Sequence, residues 1–121
     1  AYQVLKKRGV TAVFFVPTSY IGSSILPWWD EIAWMIRNTK RDSVLIEPWE
    51  NEIRIDRGDM NATIRSILLR VKRMEHIPME EVLVKMRGFL ECHVDVGKTE
   101  LFMNWDHLKE MQEHGMEIGS H

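Results

Sequence analysis

Histidine and cysteine side chains bind metal ions most readily, and this sequence contains five histidines and one cysteine. His107 and His114 lie two helical turns apart, which is wider than the i, i+4 spacing with which one helix grips an ion. Cys92 and His93, with His76 further back, lack the second cysteine that a typical zinc site would add. We therefore interpret the first pair as solvated helix histidines, and the second group as only a weak zinc signal.

Tryptophan side chains are a second kind of candidate, because aromatic faces suit the apolar faces of sugar rings. Trp28, Trp29 and Trp34 are close enough in sequence to form such a stacking platform. The alternative is that they pack in the core, and we favour packing for Trp28 and Trp29, which share the apolar face of a predicted helix. The pattern does not decide between these interpretations for Trp34 and Trp49.

The elements that would position such residues begin with a helix, a glycine and a buried strand, an order typical of an α/β protein. Residues Tyr2–Arg8 have the pattern of a helix that ends at a glycine. Thr11–Val16 is a short apolar run, typical of a strand buried on both faces in a parallel sheet. Thr18 and Ser19 begin the loop after this strand, where barrel loops often contact ligands, although turn chemistry explains them equally well.

The middle of the chain predicts helices and short strands. A helix opens at Pro27 and runs to about Asn38, with Trp28, Trp29, Ile32, Ala33 and Ile36 on its apolar face. Ser43–Ile46 and Glu52–Ile55 have the pattern of two short strands.

A helical hairpin is predicted from Asp59 to Leu90, because two amphipathic segments follow each other closely. Asp59 is suited to cap the first helix, and Pro78 starts the second. After an irregular stretch through Gly97, Asn104 is suited to cap another helix that is followed by a last strand, Met116–His121.

Composition and charge limit the classes of function. Lys and Arg number 16 against 18 Asp and Glu, for a net charge of -2, so the chain has no electrostatic footprint for nucleic acid. No apolar run is long enough to span a bilayer. The single cysteine leaves the redox compartment, and hence the localisation, open.

Both ends of the sequence have patterns that we do not expect of a complete domain. The chain opens inside a helix without a cap and closes on a strand without a covering helix. A parallel α/β barrel typically needs about 200 residues or more to close. We therefore expect residues 1–121 to be an incomplete domain, an internal piece of a larger protein.

Three stretches together resemble the polysaccharide deacetylases, the fourth family of carbohydrate esterases. They are Gly9-Val10-Thr11-Ala12-Val13-Phe14-Phe15-Val16-Pro17-Thr18, then Ile21-Gly22 followed by Trp28-Trp29-Asp30, and finally Asn104-Trp105-Asp106 through Glu117-Ile118-Gly119-Ser120-His121. The last is similar to the family's passage of Trp-Asp, a helix and Gly-x-Glu-Ile-Gly-Ser-His. It is the most specific of the three.

This resemblance implies that residues 1–121 are an incomplete catalytic domain, a partial (β/α) barrel of the deformed TIM-like type. It implies that His121 opens a His-Ser/Thr-x-x-His motif and is the first protein ligand of a divalent metal, often zinc. The parent enzyme would remove acetyl groups from a polysaccharide, most simply an N-acetylated sugar polymer. The family's general base and general acid fall outside this sequence, so we expect the piece to be inactive by itself.

Residues 59–91 depart from the smallest family members, because the connection there is longer. They resemble a helical hairpin insertion seen in some bacterial branches. The alternative interpretation of the whole chain is a non-catalytic carbohydrate-binding or protein-interaction module that uses this hairpin as its docking surface. Such a module would need no metal.

Overall fold

The computed structural model describes residues 1–95 and 102–121, which belong to two compact units. The first unit contains Ala1–Ile25 and the residues after Asp95, and the second is Leu26–Asp95. In chain order the elements are α1 (Tyr2–Arg8), β1 (Val13–Val16), a 3-10 turn (Thr18–Tyr20), α2 (Trp28–Asn38), β2 (Ser43–Val44), β3 (Ile53–Arg54), α3 (Met60–Lys72), α4 (Met79–Leu90), α5 (Trp105–Glu113) and β4 (Glu117–Ser120). The irregular stretch predicted through Gly97 lies partly outside the described residues.

A parallel pair of strands organises the first unit. β1 pairs with β4 in a register that runs from Val13 opposite Glu117 to Val16 opposite Ser120. The predicted helix, glycine and strand at the start of the chain are confirmed, and Gly9 closes α1 in the left-handed conformation with φ of 64°. A mixed helix and strand architecture is therefore present, whereas the barrel stays a prediction.

The helices of this unit cover one face of the strand pair. Val16 packs with Leu108 and Met111 of α5 and with Met116, and the smaller cluster also includes Leu5 of α1. Successive side chains of a strand point to opposite faces, so only one set of β1 residues can enter this cluster.

The expectation that β1 is buried on both faces is wrong for the described residues. Phe15 is 67% exposed and Val13 is 51% exposed, because no described element of the first unit covers the face to which both belong. The continuous apolar run Thr11–Val16 therefore predicts the strand correctly, but it does not show how many faces of β1 are covered by other elements.

The core of the second unit is built around α2, which packs against both α3 and α4. The apolar face predicted for this helix is correct at Ile32 and Ile36, both fully buried. It omits Met35, which is also fully buried, and it wrongly includes Trp29, whose side chain is 42% exposed. β2 and β3 form an antiparallel pair beside these helices and are shorter than predicted.

Both helices of the predicted hairpin are present. The Asp59 carboxylate accepts a hydrogen bond from the Ala62 amide at 3.0 Å and caps α3 as predicted. Their buried residues, which include Ile67 and Met86, belong to the same cluster as those of α2. The compact unit thus extends beyond residues 59–91 on both sides.

None of the helices in the described part of the chain is long and apolar enough to cross a membrane.

A buried ion pair joins α2 to α4. Arg87 Nε donates to Glu31 Oε1 at 2.6 Å, and Arg87 Nη1 donates to Glu80 Oε1 at 2.9 Å. The Glu31 side chain retains only 9% of its exposure. These hydrogen bonds to Glu31 and Glu80 raise the pKa of the Arg87 guanidinium above its usual value. The pair therefore offsets the desolvation of a carboxylate that lies within an otherwise apolar helix contact.

Replacing Arg87 with Met should lower the free energy of unfolding by about 2 kcal/mol, because it leaves the Glu31 carboxylate buried without its partner. Urea denaturation followed by circular dichroism measures the loss. Arg73→Met is the matched control, since Arg73 is an exposed residue at the end of α3, and its effect should stay within about 0.5 kcal/mol. Equal effects of the two substitutions would contradict this role for the pair.

Candidate functional site

The carboxyl ends of β1 and β4 meet at one edge of the strand pair, because the strands are parallel. His121 comes directly after β4, and its backbone amide donates to the Val16 carbonyl at 3.0 Å. This bond continues the ladder by one residue and holds the backbone of His121 beside the end of β1. The imidazole belongs to an exposed residue. Ligand sites of α/β proteins form at such strand ends.

The loop after β1 borders the same edge. Thr18–Tyr20 form a 3-10 turn, and the Gly22 amide donates to the Met103 carbonyl at 3.0 Å. The rings of Tyr20 and Phe102 lie 5.1 Å apart. Between these residues is a mostly apolar cleft of about 210 Å³ that also reaches Val16. It is small, and it can hold only a small apolar group.

Thr18 and Ser19, which were candidates for ligand contact, are both exposed in this turn. The Thr18 carbonyl accepts a hydrogen bond from the Ile21 amide at 3.3 Å, and the Pro17 carbonyl accepts one from the Tyr20 amide at 3.0 Å. Their backbone is thus organised by turn chemistry. The two hydroxyl side chains do not line the cleft.

A metal ion needs several ligand side chains that converge on one point. The described residues contain no group of three or more His, Cys, Asp or Glu side chains that could hold one. His121 offers a single imidazole, whereas catalytic zinc sites use about three protein ligands. The described residues alone therefore do not fit a metal centre.

His107 and His114 lie at opposite ends of α5. His107 Nδ1 accepts from the Asn104 amide at 3.1 Å, while Asn104 Oδ1 accepts from the His107 amide, so the predicted cap of α5 is a reciprocal capping box. His114 Nδ1 donates to the Glu110 carbonyl at 2.8 Å at the other end of α5. Both rings are engaged in contacts at helix ends.

The four candidate tryptophans lie in three different settings. Trp49 belongs to the core edge, where its indole nitrogen lies 3.1 Å from Met74 Sδ and the Arg70 guanidinium lies over its ring. Trp28 and Trp29 form an edge-to-face pair with ring centroids 5.6 Å apart, and both line a groove against α3. Trp34 is exposed on α2 and does not line that groove.

Sequence reasoning missed the polar side of this groove. Asn61, Arg65 and Lys72 of α3 line it together with the two tryptophans. The signal was available as a polar stripe at helical spacing beside the apolar positions of α3. Only the packing of α2 against α3, however, shows that the stripe faces two indole rings.

No protein-family model, curated protein or solved structure matches this chain.

Gly119, in the motif that ends at His121, lies under an aromatic ring. A Cβ added at this glycine would meet Cδ1 and Cε1 of Phe15 at 2.7 Å, which is closer than van der Waals contact allows. The absence of a side chain at Gly119 thus lets the Phe15 ring lie across β4, two residues before the candidate ligand.

Gly119→Ala should cost about 1 kcal/mol of unfolding free energy, at the low end for overpacking because the exposed Phe15 ring can turn away. Combining it with Phe15→Ala should remove at least about 0.5 kcal/mol of that cost, measured as the coupling in a double-mutant cycle. Gly88→Ala is the control, since a Cβ there meets nothing within 4 Å. Purely additive effects of the two substitutions would contradict the proposed clash.

A polar cluster ties α1 to α5 on the surface of the first unit. Glu110 Oε1 accepts from Tyr2 Oη at 2.9 Å and from Lys6 Nζ at 3.1 Å, and Tyr2 Oη lies 3.4 Å from His114 Nδ1. The hydrogen bonds from Lys6 and Tyr2 lower the pKa of the Glu110 carboxyl below its usual 4.5. The charged form of Glu110 is therefore the one that the folded state favours.

Because the pKa of Glu110 is lower when folded, its contribution to stability is present above about pH 4.5 and is lost as the pH falls through the folded pKa. The carboxyl carbon of Glu110 should titrate below pH 4.5 in an NMR pH series. Glu110→Gln should make the fall in unfolding free energy at acid pH shallower than in the unaltered chain. Glu113→Gln, on the same helix without a polar partner among the described residues, should leave that fall unchanged. A titration midpoint at or above 4.5 would refute the assignment.

Proposed function

We propose that this chain is part of the catalytic domain of a polysaccharide deacetylase, an enzyme that hydrolyses acetyl groups from an N-acetylated sugar polymer. One observation carries the proposal. The two stretches that resemble the family's strands lie at opposite ends of the sequence, yet they are adjacent parallel strands in register. The histidine of the more specific stretch follows its strand directly.

His121 has the position that such a ligand requires. A residue at the carboxyl end of a parallel strand is held by the ladder behind it, while its side chain is open to a substrate cleft. The hydrogen bond from its amide to the Val16 carbonyl fixes the backbone from which the imidazole extends. The proposal assigns His121 one ligand position for a divalent metal, zinc in the first instance, and requires further ligands beyond the described residues.

The chain alone is proposed to be inactive, because hydrolysis of an acetamide also needs an acid to protonate the departing amine. The apolar cleft beside Tyr20 has no Asp, Glu, His or Lys among its described lining residues, so it supplies no general acid or general base of these types. We therefore propose deacetylase activity only for the product of the complete coding sequence.

A second candidate function is a non-catalytic carbohydrate-binding module. It is favoured by the groove that Trp28 and Trp29 line, which is complete within the second unit and needs no metal. The two candidates are compatible, because they use different units of the chain.

The product of the complete coding sequence should release acetate from an N-acetylated sugar polymer, and a chelator should abolish the release. His121→Ala should lower kcat/KM at least about 100-fold, because removing a metal ligand costs at least as much as disturbing the residues that support one. His76→Ala is the matched control, since His76 is exposed and lies in the other unit. Chelator-resistant release, or full activity of His121→Ala, would defeat the proposal.

A further inference from the structure

A groove on the second unit combines flat aromatic rings with positive charge. Its lining comes from two helices, with Trp28 and Trp29 on α2 and Asn61, Ile64, Arg65, Leu68, Leu69 and Lys72 on α3, and we call it the tryptophan groove. Its volume is about 580 Å³, within the range of sites that hold small molecules. The groove is therefore large enough to hold a small-molecule ligand.

Two cations in the groove are not neutralised by the protein. Arg65 and Lys72 are exposed and have neither an ion pair nor a hydrogen bond to any residue that the structure describes. Other cations of the same unit do have polar partners, as Arg87 has in Glu31 and Arg70 has in the Asn51 carbonyl. Charge complementarity therefore favours a ligand that carries negative charge.

The groove continues past Trp28. A second hollow of about 410 Å³ shares Trp28 and Lys72 with it and extends past Met74 and Glu75 to Pro78 at the start of α4. Glu75 is the one carboxylate among the described residues that line it, so the ligand's negative charge is favoured beside Arg65 and Lys72 and not at this far end. Since both hollows share one indole ring and one ammonium group, a ligand that fills both must be longer than one ring. An oligomer fits this shape better than a single compact molecule does.

We propose that the tryptophan groove binds an anionic oligosaccharide, a chain of sugar rings that bear carboxylates. The apolar faces of such rings stack on Trp28 and Trp29, and the carboxylates pair with Arg65 and Lys72 through charge-assisted hydrogen bonds. Asn61 Oδ1 accepts from Arg37 Nη2 at 3.4 Å, which leaves the amide nitrogen of Asn61 to donate to a ring hydroxyl.

An acidic peptide shares the charge of this ligand but fits the groove less well. A helical peptide needs a row of apolar pockets for its anchors at i, i+3, i+4 and i+7. Ile64, Leu68 and Leu69 also line the tryptophan groove, but it is one continuous hollow that presents an edge-to-face indole pair at 81° and two cations, not a row of separate pockets. This inference rests on the second candidate function, the carbohydrate-binding module, and names the class of sugar that it binds. It does not depend on the deacetylase proposal, because the groove lies wholly within the second unit.

The test is a titration of the 121-residue chain with tetragalacturonate, followed by calorimetry and by the indole N–H signals of its tryptophans in NMR. Saturable binding with a Kd below about 1 mM is expected. The signals of Trp28 and Trp29 should shift, whereas that of Trp105, in the other unit, should not. Raising the salt concentration should weaken the binding, because the paired charges are exposed.

Arg65→Gln and Lys72→Gln should each weaken binding about three- to tenfold. Both residues are exposed, so these variants should keep the fold of the chain. Arg73→Gln removes the same charge from the end of α3 outside the groove and should change the Kd less than twofold. Trp29→Ala should weaken binding further than either charge variant, since it removes a stacking face.

Three results would overturn the proposal. One is the absence of saturable binding up to about 10 mM tetragalacturonate. Another is that Arg73→Gln weakens binding as much as Arg65→Gln does. The third is that a neutral tetramer of N-acetylglucosamine, or a hexaglutamate peptide, binds as tightly as tetragalacturonate, which would show that the groove does not recognise carboxylated sugars.

Discussion

β1 and β4 come from opposite ends of the sequence, and the parallel ladder between them is only four residues long on each side. Two short strands are marginal by themselves, so this pairing depends on the apolar cluster that α1 and α5 place over one face. In turn, the pairing positions everything at the candidate edge. The Val16 carbonyl that receives the His121 amide is available there only because the strands are parallel and in this register.

A different constraint shapes the second unit. Its apolar cluster closes around α2, and Glu31 enters that contact only because Arg87 of α4 reaches it. An ion pair in such a place adds less to stability than its Coulomb energy suggests, but breaking it leaves a buried charge. The outer side of α2 and α3 is organised differently, since Trp28, Arg65 and Lys72 surround a groove instead of a packed seam.

Local features of the fold could be predicted from the sequence. The caps at Asp59 and Asn104 depend on hydrogen bonds within one turn of helix, and the left-handed Gly9 depends on the backbone alone. Features set by other elements could not be predicted in this way. The burial of Glu31 requires a partner on another helix, and the exposure of Phe15 depends on what lies over its strand.

The candidate site follows the same division. The motif that ends at His121 was recognisable from residue types alone, whereas its pairing with β1 required the fold. The groove at Trp28 shows the converse, because the tryptophans were noticed as a group but their cationic neighbours were not. Those neighbours belong to α3, and no short-range spacing connects α3 to the start of α2.

The most direct test of the central claim is the metal content of the product of the complete coding sequence, compared with that of its His121→Ala variant. We predict one divalent metal ion per chain in the unaltered protein, and loss of most of it when the imidazole is removed, because we assign His121 as a ligand. A variant that retains its full metal content and its fold would contradict that assignment, and with it the proposal that this strand edge belongs to a metal-dependent deacetylase.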